Sequence, residues 1–441
     1  MRSINFRDKK VTIMGLGLND GGVGAARFFA KAGARVLVTD LKNRRHLAPS
    51  IQKLSAYKNI SYVLGKHRIQ DFQHANLVIQ GPGVPSDSPY LAIAHKHRVP
   101  IDTDIGIFFR LCPAPIIGVT GSKGKSTTAS LIQCMLATAY PNVLLAGNIG
   151  RSVFDILPRL TKNIPVVLEL SSWQLEGLAA HTQAPHIAVI TNILYEHLNR
   201  YKSFADYARA KSFIARFQKK QDILIMPHGD RVVRNAMKGA PSRIIAYAVP
   251  KIPHHEGNAR LFGAHNAANI AAAVSVARLF RIPTAKIKKA LRTFPGNPGR
   301  MEPIRLASGV RYYNDTTATM PDATIAAIKT LAPARKHALL LIAGGTDKNL
   351  RFADLANVIN REISVLILLP GTATKQLLRS LPPKPRPTII KARTMRVAVA
   401  QAHARARKGD IVLLSPGAAS FGLFQNEFDR GAQFNNAVKK L

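Results

Sequence analysis

The stretch Ile116-Ile-Gly-Val-Thr-Gly-Ser-Lys-Gly-Lys-Ser-Thr-Thr128 constrains the chain more than any other. An apolar run that reads as a strand enters a glycine-rich turn, then Lys125-Ser126. A helix-period pattern follows in Leu131, Ile132, Met135 and Leu136. Such a turn aims successive backbone N–H groups at a phosphate, with a helix N-terminus behind it. Lys125 would then reach the outer phosphates, and the Ser126 hydroxyl would bind Mg²⁺. The strict G-x-x-x-x-G-K-[ST] spacing needs glycine where Val119 stands, and the first glycine, Gly118, lies one residue earlier. A plain connector also tolerates glycines. Strand, glycines, Lys-Ser and helix in succession nevertheless favour a nucleoside triphosphate site.

With 441 residues the chain has room for about three domains of roughly 150 residues each. An apolar content of 46% supplies buried cores. Two cysteines, Cys112 and Cys134, are too few for a disulfide framework or a cysteine metal site. The start, Met1-Arg-Ser-Ile-Asn-Phe-Arg, does not read as a signal peptide, and no apolar run reaches the roughly 18 residues of a membrane span. The expectation is a cytoplasmic protein. The net charge of +39 comes from 63 Lys and Arg against 24 Asp and Glu. Such an excess attracts polyanions. Here the cations are scattered, and Lys384-Pro-Arg-Pro or Ala402-His-Ala-Arg-Ala-Arg-Lys408 lack the interleaved aromatics that stack on bases. No specific nucleic-acid function is expected, while weak attraction to anionic surfaces stays open.

The N-terminal region opens as a Rossmann-like βαβ unit. Val11 to Gly15 is a strand entering Gly15-Leu-Gly17-Leu-Asn-Asp-Gly21-Gly22-Val-Gly24. A helix pattern and a second strand, Arg35 to Thr39, then lead to Asp40. The glycine spacing departs from G-x-G-x-x-G, so a dinucleotide is weakly signalled. A strand from Asn76 to Gln80 ends in Gly81-Pro-Gly-Val-Pro85, and ligands of open α/β sheets gather at such ends.

After Pro113 or Pro115 the central region begins. Pro165-Val-Val-Leu-Glu169 puts an acid at the end of a buried strand, costly unless paired or bound to a metal. The strand His186 to Thr191 delivers Asn192 and then Glu196-His197-Leu198-Asn199. His197, past a third strand end, is balanced between a structural and a catalytic role. Ser203 to Phe217 reads as a helix with Phe204, Tyr207, Lys211 and Ile214 on one face. Spacing alone favours a snorkelling Lys211 over a buried functional amine. Gly263-Ala-His265-Asn266-Ala-Ala-Asn269 opens a helix running to about Phe280. Asn266 and Asn269 lie three residues apart on one face, with capping the alternative for Asn266.

Breakers at Thr293-Phe-Pro-Gly-Asn-Pro-Gly299 mark a boundary. Beyond it, strands at Val310–Tyr313, Ala338–Ile342, Val365–Leu369 and Ile411–Leu414 alternate with helices. Polar residues follow them: Asn314-Asp315, Gly344 to Lys348, and Ser415 to Ser420, the ligand edge of a third sheet. The expected architecture is three α/β domains: Rossmann-like over 1–110, P-loop mononucleotide-binding over 111–298 and Rossmann-like over 299–441.

Taken in order, several of these segments resemble the Mur ligases. They are Thr120 to Thr127, Glu169-Leu-Ser-Ser-Trp-Gln-Leu, Asn192 with His197, Gly263 to Asn269, Arg300-Met-Glu, Asn314-Asp-Thr-Thr-Ala-Thr and Leu414 to Ser420. The resemblance covers nearly the whole chain. It implies an ATP-dependent ligase that joins D-glutamate to UDP-N-acetylmuramoyl-L-alanine through an acyl phosphate, a step of peptidoglycan precursor synthesis. It further implies ATP held by Gly121, Ser122, Lys123, Gly124, Lys125, Ser126, Thr127, Asn266, Asn269, Arg300 and Asp315. Two Mg²⁺ ions would be held by Ser126, Glu169, His197 and a Lys211 carbamate, which replaces the snorkelling reading. Lys125, Lys211 and His197 would be catalytic. The nucleotide-sugar substrate would meet Leu16, Asp40, Gly81, Asn148 and Ser171, and D-glutamate would meet Thr319, Lys348 and Ser420. The chain would work as a monomer on small molecules, with domains closing on substrate.

Departures accompany the resemblance. The family usually has Asp-His-Leu-Asp where this chain has Glu196-His-Leu-Asn199, and Ser-Lys-Ala-Thr where it has Thr316-Thr317-Ala318-Thr319. An aromatic of the tail is shifted to Phe428. The rivals are a sibling ligase using another amino acid or acceptor, a Rossmann dehydrogenase, which leaves Lys125-Ser126 idle, and a nucleic-acid-dependent NTPase, which leaves Glu169 and Lys211 idle.

Overall fold

The computed structural model of the chain describes residues 5–18, 20–196, 200–249, 257–258, 261, 264–332, 337–384 and 386–441, with backbone alone at 264 and 265. Seventeen strands among the described residues form three sheets. The first holds β1 (Lys10–Met14), β2 (Arg35–Asp40), β3 (Ile60–Leu64), β4 (Leu77–Gln80) and β5 (Ile101–Asp102) in the order β3-β2-β1-β4-β5. All its pairings are parallel, and the order reverses between β1 and β4. Val11, Ile13, Val36, Val38 and Val78 are buried, as expected where helices cover both faces of a parallel sheet. The crevice outside the strand ends at this reversal carries Gly15-Leu16-Gly17 and Gly81.

The second sheet runs β11-β10-β9-β6-β8-β7, all parallel. Its strands are β6 (Ile116–Thr120), β7 (Leu144–Gly147), β8 (Val166–Glu169), β9 (Ile187–Ile190), β10 (Ile223–Pro227) and β11 (Arg243–Tyr247). Every residue of β6 is buried, and β8 and β9 flank it, so three strand ends converge on the turn after Thr120. The first two sheets pack as one compact unit with residues 265–292. Phe28 of the first stacks on Phe154 of the second, centroids 4.1 Å apart and planes at 7°.

Residues 257–264 and 293–441 form the other compact unit. Its sheet runs β12-β13-β17-β14-β15-β16: β12 (Glu302–Ala307), β13 (Val310–Asn314), β14 (Leu339–Ala343), β15 (Val365–Leu368), β16 (Thr388–Lys391) and β17 (Ile411–Leu414). Only β12 is antiparallel. Leu339 to Ala343 and Ile411 to Leu414 are wholly buried, which places the loops after β13, β14 and β17 side by side at one edge.

Candidate active site

The turn after β6 is shaped by two glycines with positive φ, Gly121 at 149° and Gly124 at 85°. A Cβ on Gly121 would collide with Thr191 Oγ1, and one on Gly124 with Asn269 Oδ1. Helix Lys125–Leu136 starts directly behind, so its N-terminus faces the turn. The end of β9 clamps the loop. Asn192 accepts from the Ser122 N–H through its backbone carbonyl at 3.0 Å and from the Lys123 N–H through Oδ1 at 2.9 Å. Its Nδ2 and the Thr191 hydroxyl both donate to the Lys123 carbonyl, at 3.1 and 2.6 Å. Lys125 Nζ donates to the carbonyls of Gly121 and Ser122, at 2.9 and 3.0 Å, so the ammonium lies over the turn. The Lys123 ammonium meets the Glu196 carboxylate at 2.7 Å; this places one sequence departure on the loop itself.

Glu169, at the end of β8, is 2% exposed. Its Oε1 accepts from Asn148 Nδ2 at 2.9 Å, while Oε2 is buried without a hydrogen-bond partner. Lys211, on helix Phe204–Arg216, is also 2% exposed, which excludes snorkelling. Its Nζ donates to the Gly121 carbonyl at 2.9 Å and makes a long 3.4 Å contact to Thr120 Oγ1. Burial, and then the neighbouring Lys125 charge, push its pKa well below the usual lysine range. Tyr207, one turn earlier, bonds Ser122 Oγ at 3.0 Å. Helix Ala264–Leu279 begins before Asn266, so Asn266 is not its cap. Asn269 donates to Asn266 Oδ1 at 3.0 Å and accepts from the Thr128 hydroxyl at 3.2 Å, placing the Asn269 amide against the phosphate loop with Asn266 bonded to it. His197 lies outside the described residues.

At the first sheet, Asp40 is saturated by backbone: the N–H groups of Leu16, Gly17 and Lys42 donate to it at 2.9, 3.1 and 2.9 Å. The carboxylate thus holds the glycine turn in shape. Gly81 pairs with Met14, whose carbonyl a Cβ would approach to 2.8 Å. Ser171 closes a capping box with Gln174 on helix Ser172–Ala179.

In the other unit, Asp315 is buried after β13. It accepts from Ser415 Oγ at 2.8 Å and the Met301 N–H at 3.2 Å, and burial raises its pKa to about 7. Thr317, the second departure, donates to the Gly299 carbonyl through N and Oγ1, at 3.1 and 2.9 Å, and so fixes the linker beside exposed Arg300. Ser420 is buried and Thr319 half-buried. Exposed Lys348 holds its ammonium 5.5 Å from the centre of the Phe421 ring. The clamp by Thr191 and Asn192 escaped the sequence reading; the only hint was their place at a third strand end.

Three segments match parts of one family: residues 9–102 the MurD-like N-terminal domain of Mur ligases, 119–252 the Mur ligase middle domain and 299–417 the Mur ligase glutamate ligase domain. A UDP-N-acetylmuramoylalanine–D-glutamate ligase of Roseiflexus sp. is 40% identical over 98% of this chain and 99% of its own length. The chain belongs to the Mur ligase family. The enzyme of the same description from Borreliella afzelii is 35% identical over the full length of both chains. Among solved structures, UDP-N-acetylmuramate–alanine ligase of Thermotoga maritima shares the fold, with a TM-score of 0.63, 17% identity, and coverage of 98% and 99%.

The buried residues of this Mur ligase fit a divalent cation beside the loop. An orphaned, sealed carboxylate oxygen such as Glu169 Oε2 is costly unless a cation or donor meets it. Among the described residues no cluster of three or more His, Cys, Asp or Glu forms a closed metal cage. No described helix is long and apolar enough to cross a membrane.

Proposed function

We infer that this Mur ligase forms an amide bond between D-glutamate and UDP-N-acetylmuramoyl-L-alanine at the expense of ATP, in peptidoglycan precursor synthesis. The full-length relatives described as D-glutamate ligases support that choice of substrates. The chemistry rests on one observation: a phosphate turn with Lys125, the half-satisfied Glu169 carboxylate and the buried Lys211 amine gather at adjoining strand ends.

On this reading residues 1–110 bind the UDP-sugar through the turns at Leu16 and Gly81, which Asp40 shapes. Asn148 and Ser171 meet its peptide end, and residues 111–298 hold ATP. The backbone N–H groups of residues 121–127 and the Lys125 ammonium neutralise the phosphates. A carboxylate oxygen of the L-alanyl end attacks the γ-phosphorus and ADP departs, which leaves an acyl phosphate. The D-glutamate amine attacks the carbonyl carbon, loses its proton and expels phosphate. Asn266, Asn269, Arg300 and Asp315 hold the nucleotide, and Thr319, Lys348 and Ser420 the two carboxylates of the amino acid. Mg²⁺, as two ions held by Ser126, Glu169, His197 and modified Lys211, would supply further charge neutralisation.

Lys211 is suited to modification. An amine whose charged form burial disfavours can attack carbon dioxide and lose a proton, which gives a carbamate whose oxygens carry negative charge. The enzyme works in the cytoplasm as a monomer. The deciding experiment measures phosphate release with ATP, Mg²⁺ and UDP-N-acetylmuramoyl-L-alanine across a panel of amino acids. D-Glutamate should stimulate most, and no stimulation by it would sink the assignment.

A further inference from the structure

We propose that Arg430 is a positioning residue for the amino-acid pocket: its guanidinium fork sets the spacing of the loops that carry Thr319, Ser420 and Lys348. Arg430 lies on helix Glu427–Lys439 and is 0% exposed. Nε donates to Thr316 Oγ1 at 3.1 Å, Nη2 to the Thr316 carbonyl at 2.7 Å and Nη1 to the Ala418 carbonyl at 3.0 Å. All three acceptors are neutral oxygens. Burial lowers its pKa to about 10, so it stays a cation at neutral pH. The Glu427 carboxylate offsets part of that cost, and with no carboxylate bonded to it a buried cation also needs matched acceptors for its N–H groups. Guanidinium, with donors spread in one plane, spans three of them; ammonium is a point donor and does not.

The acceptors belong to the pocket's own loops. Thr316 opens the turn that leads to Thr319, and Ala418 precedes Ser420 by two residues. The Gly417 N–H donates to the Ala318 carbonyl at 2.9 Å, which joins those loops directly. Ala419, beside Ala418, exchanges backbone hydrogen bonds with Thr346 at 2.9 and 3.1 Å, two residues before Lys348. The Thr316 hydroxyl donates onward to the Glu427 carbonyl at 2.8 Å, which returns the network to the helix that bears Arg430. Gly431 allows that approach, since a Cβ there would lie 2.7 Å from Thr316 Cγ2. One side chain thus braces two of these loops directly and the third through Ala419.

This inference rests on the reading that Thr319, Lys348 and Ser420 hold the amino acid, and the experiment separates the two. Phosphate release by the full-length enzyme is measured for Arg430→Lys, Arg430→Ala, Thr316→Val, Lys348→Ala and Ser420→Ala, varying each substrate in turn. Arg430→Lys should raise the KM for D-glutamate roughly ten- to hundredfold while the KM for ATP stays within about threefold. Thr316→Val, which removes one acceptor at similar volume, should raise the same constant less. Added guanidinium or ethylguanidinium should lower the raised KM of Arg430→Ala, a rescue that general loss of folding would not show. A D-glutamate KM unchanged in Arg430→Lys, or a uniform fall in kcat with every KM unmoved, overturns the proposal. Should Arg430→Lys fail to fold, an unmoved D-glutamate KM in Thr316→Val together with no guanidinium rescue of Arg430→Ala overturns it equally. If Lys348→Ala and Ser420→Ala also leave that KM alone, the amino-acid site itself is misplaced.

Discussion

Lys211 and Arg430 are both basic side chains sealed inside an α/β domain, 2% and 0% exposed, yet the protein treats them oppositely. Lys211 has one good acceptor, the Gly121 carbonyl, and a second ammonium, Lys125, close enough to repel it. Burial therefore pushes its pKa well below the usual lysine range. Arg430 meets three neutral acceptors with three separate N–H groups and keeps its charge. Burial sets the cost in both cases; neighbouring charge, Lys125 against one and Glu427 for the other, and the number and geometry of acceptors separate the outcomes. An amine whose charged form burial disfavours is the more available for chemistry. A retained guanidinium becomes a brace.

The largest expected effect falls on the chemical side of that contrast. Lys211→Ala should cut turnover about a thousandfold, the scale of losing a preorganised charge-stabilising group, and intact mass of the parent should show one added carbon dioxide. Turnover like the parent's in that variant would end the functional reading of Lys211. Next, Glu169→Gln keeps the size of the side chain but removes its charge. It should lower activity about a hundredfold and raise the Mg²⁺ concentration needed for half-activity; an unaltered Mg²⁺ requirement would separate Glu169 from the metal.

Stability sharpens the same comparison. Arg430→Met strands two buried carbonyls, those of Thr316 and Ala418, and should cost roughly 3 kcal/mol. Lys211→Met, in buffer freed of carbon dioxide, removes an ill-solvated amine and should gain roughly 1 kcal/mol. Denaturant unfolding of both variants reads the signs directly, and shifts in the same direction would erase the contrast. The last effect is a slope. Asp315 has its folded pKa raised to about 7 from 3.8, so its contribution to stability is whole below about pH 4 and is lost as pH rises through about 7. Asp315→Asn does not titrate, so its stability relative to the parent should improve across that window, by up to roughly 4 kcal/mol for the full shift. A pH-independent difference would refute the raised pKa.

The interior strands were the legible part of the fold. β6, β8 and β9 are covered on both faces, so they read as unbroken apolar runs that lead to Gly121, Glu169 and Asn192. The outer strands β3, β11, β12 and β16 left no such trace. In β11, Ile244 is 48% exposed, and β12 mixes exposed and half-buried positions. The candidate site shows the same divide. The phosphate turn was readable because glycines, Lys125 and Ser126 are consecutive, whereas its clamp by Thr191 and Asn192 joins residues 68 and 69 positions apart. Lys211 was misread on spacing alone, since a helical period names the inward face without saying how completely that face is covered.

The sequence by itself determined the local stereochemistry: where a strand must stop, where positive φ demands glycine, and where a helix presents its N-terminus to an anion. It also carried enough ordered motifs to indicate the family. Tertiary structure alone decided the charge states and the bracing. The carbonyl that holds the Lys211 amine lies 90 residues away in the chain, and Thr316, which takes two of the three Arg430 bonds, lies 114 away. Desolvation and acceptor geometry are sums over such distant neighbours, and no short stretch of sequence contains them.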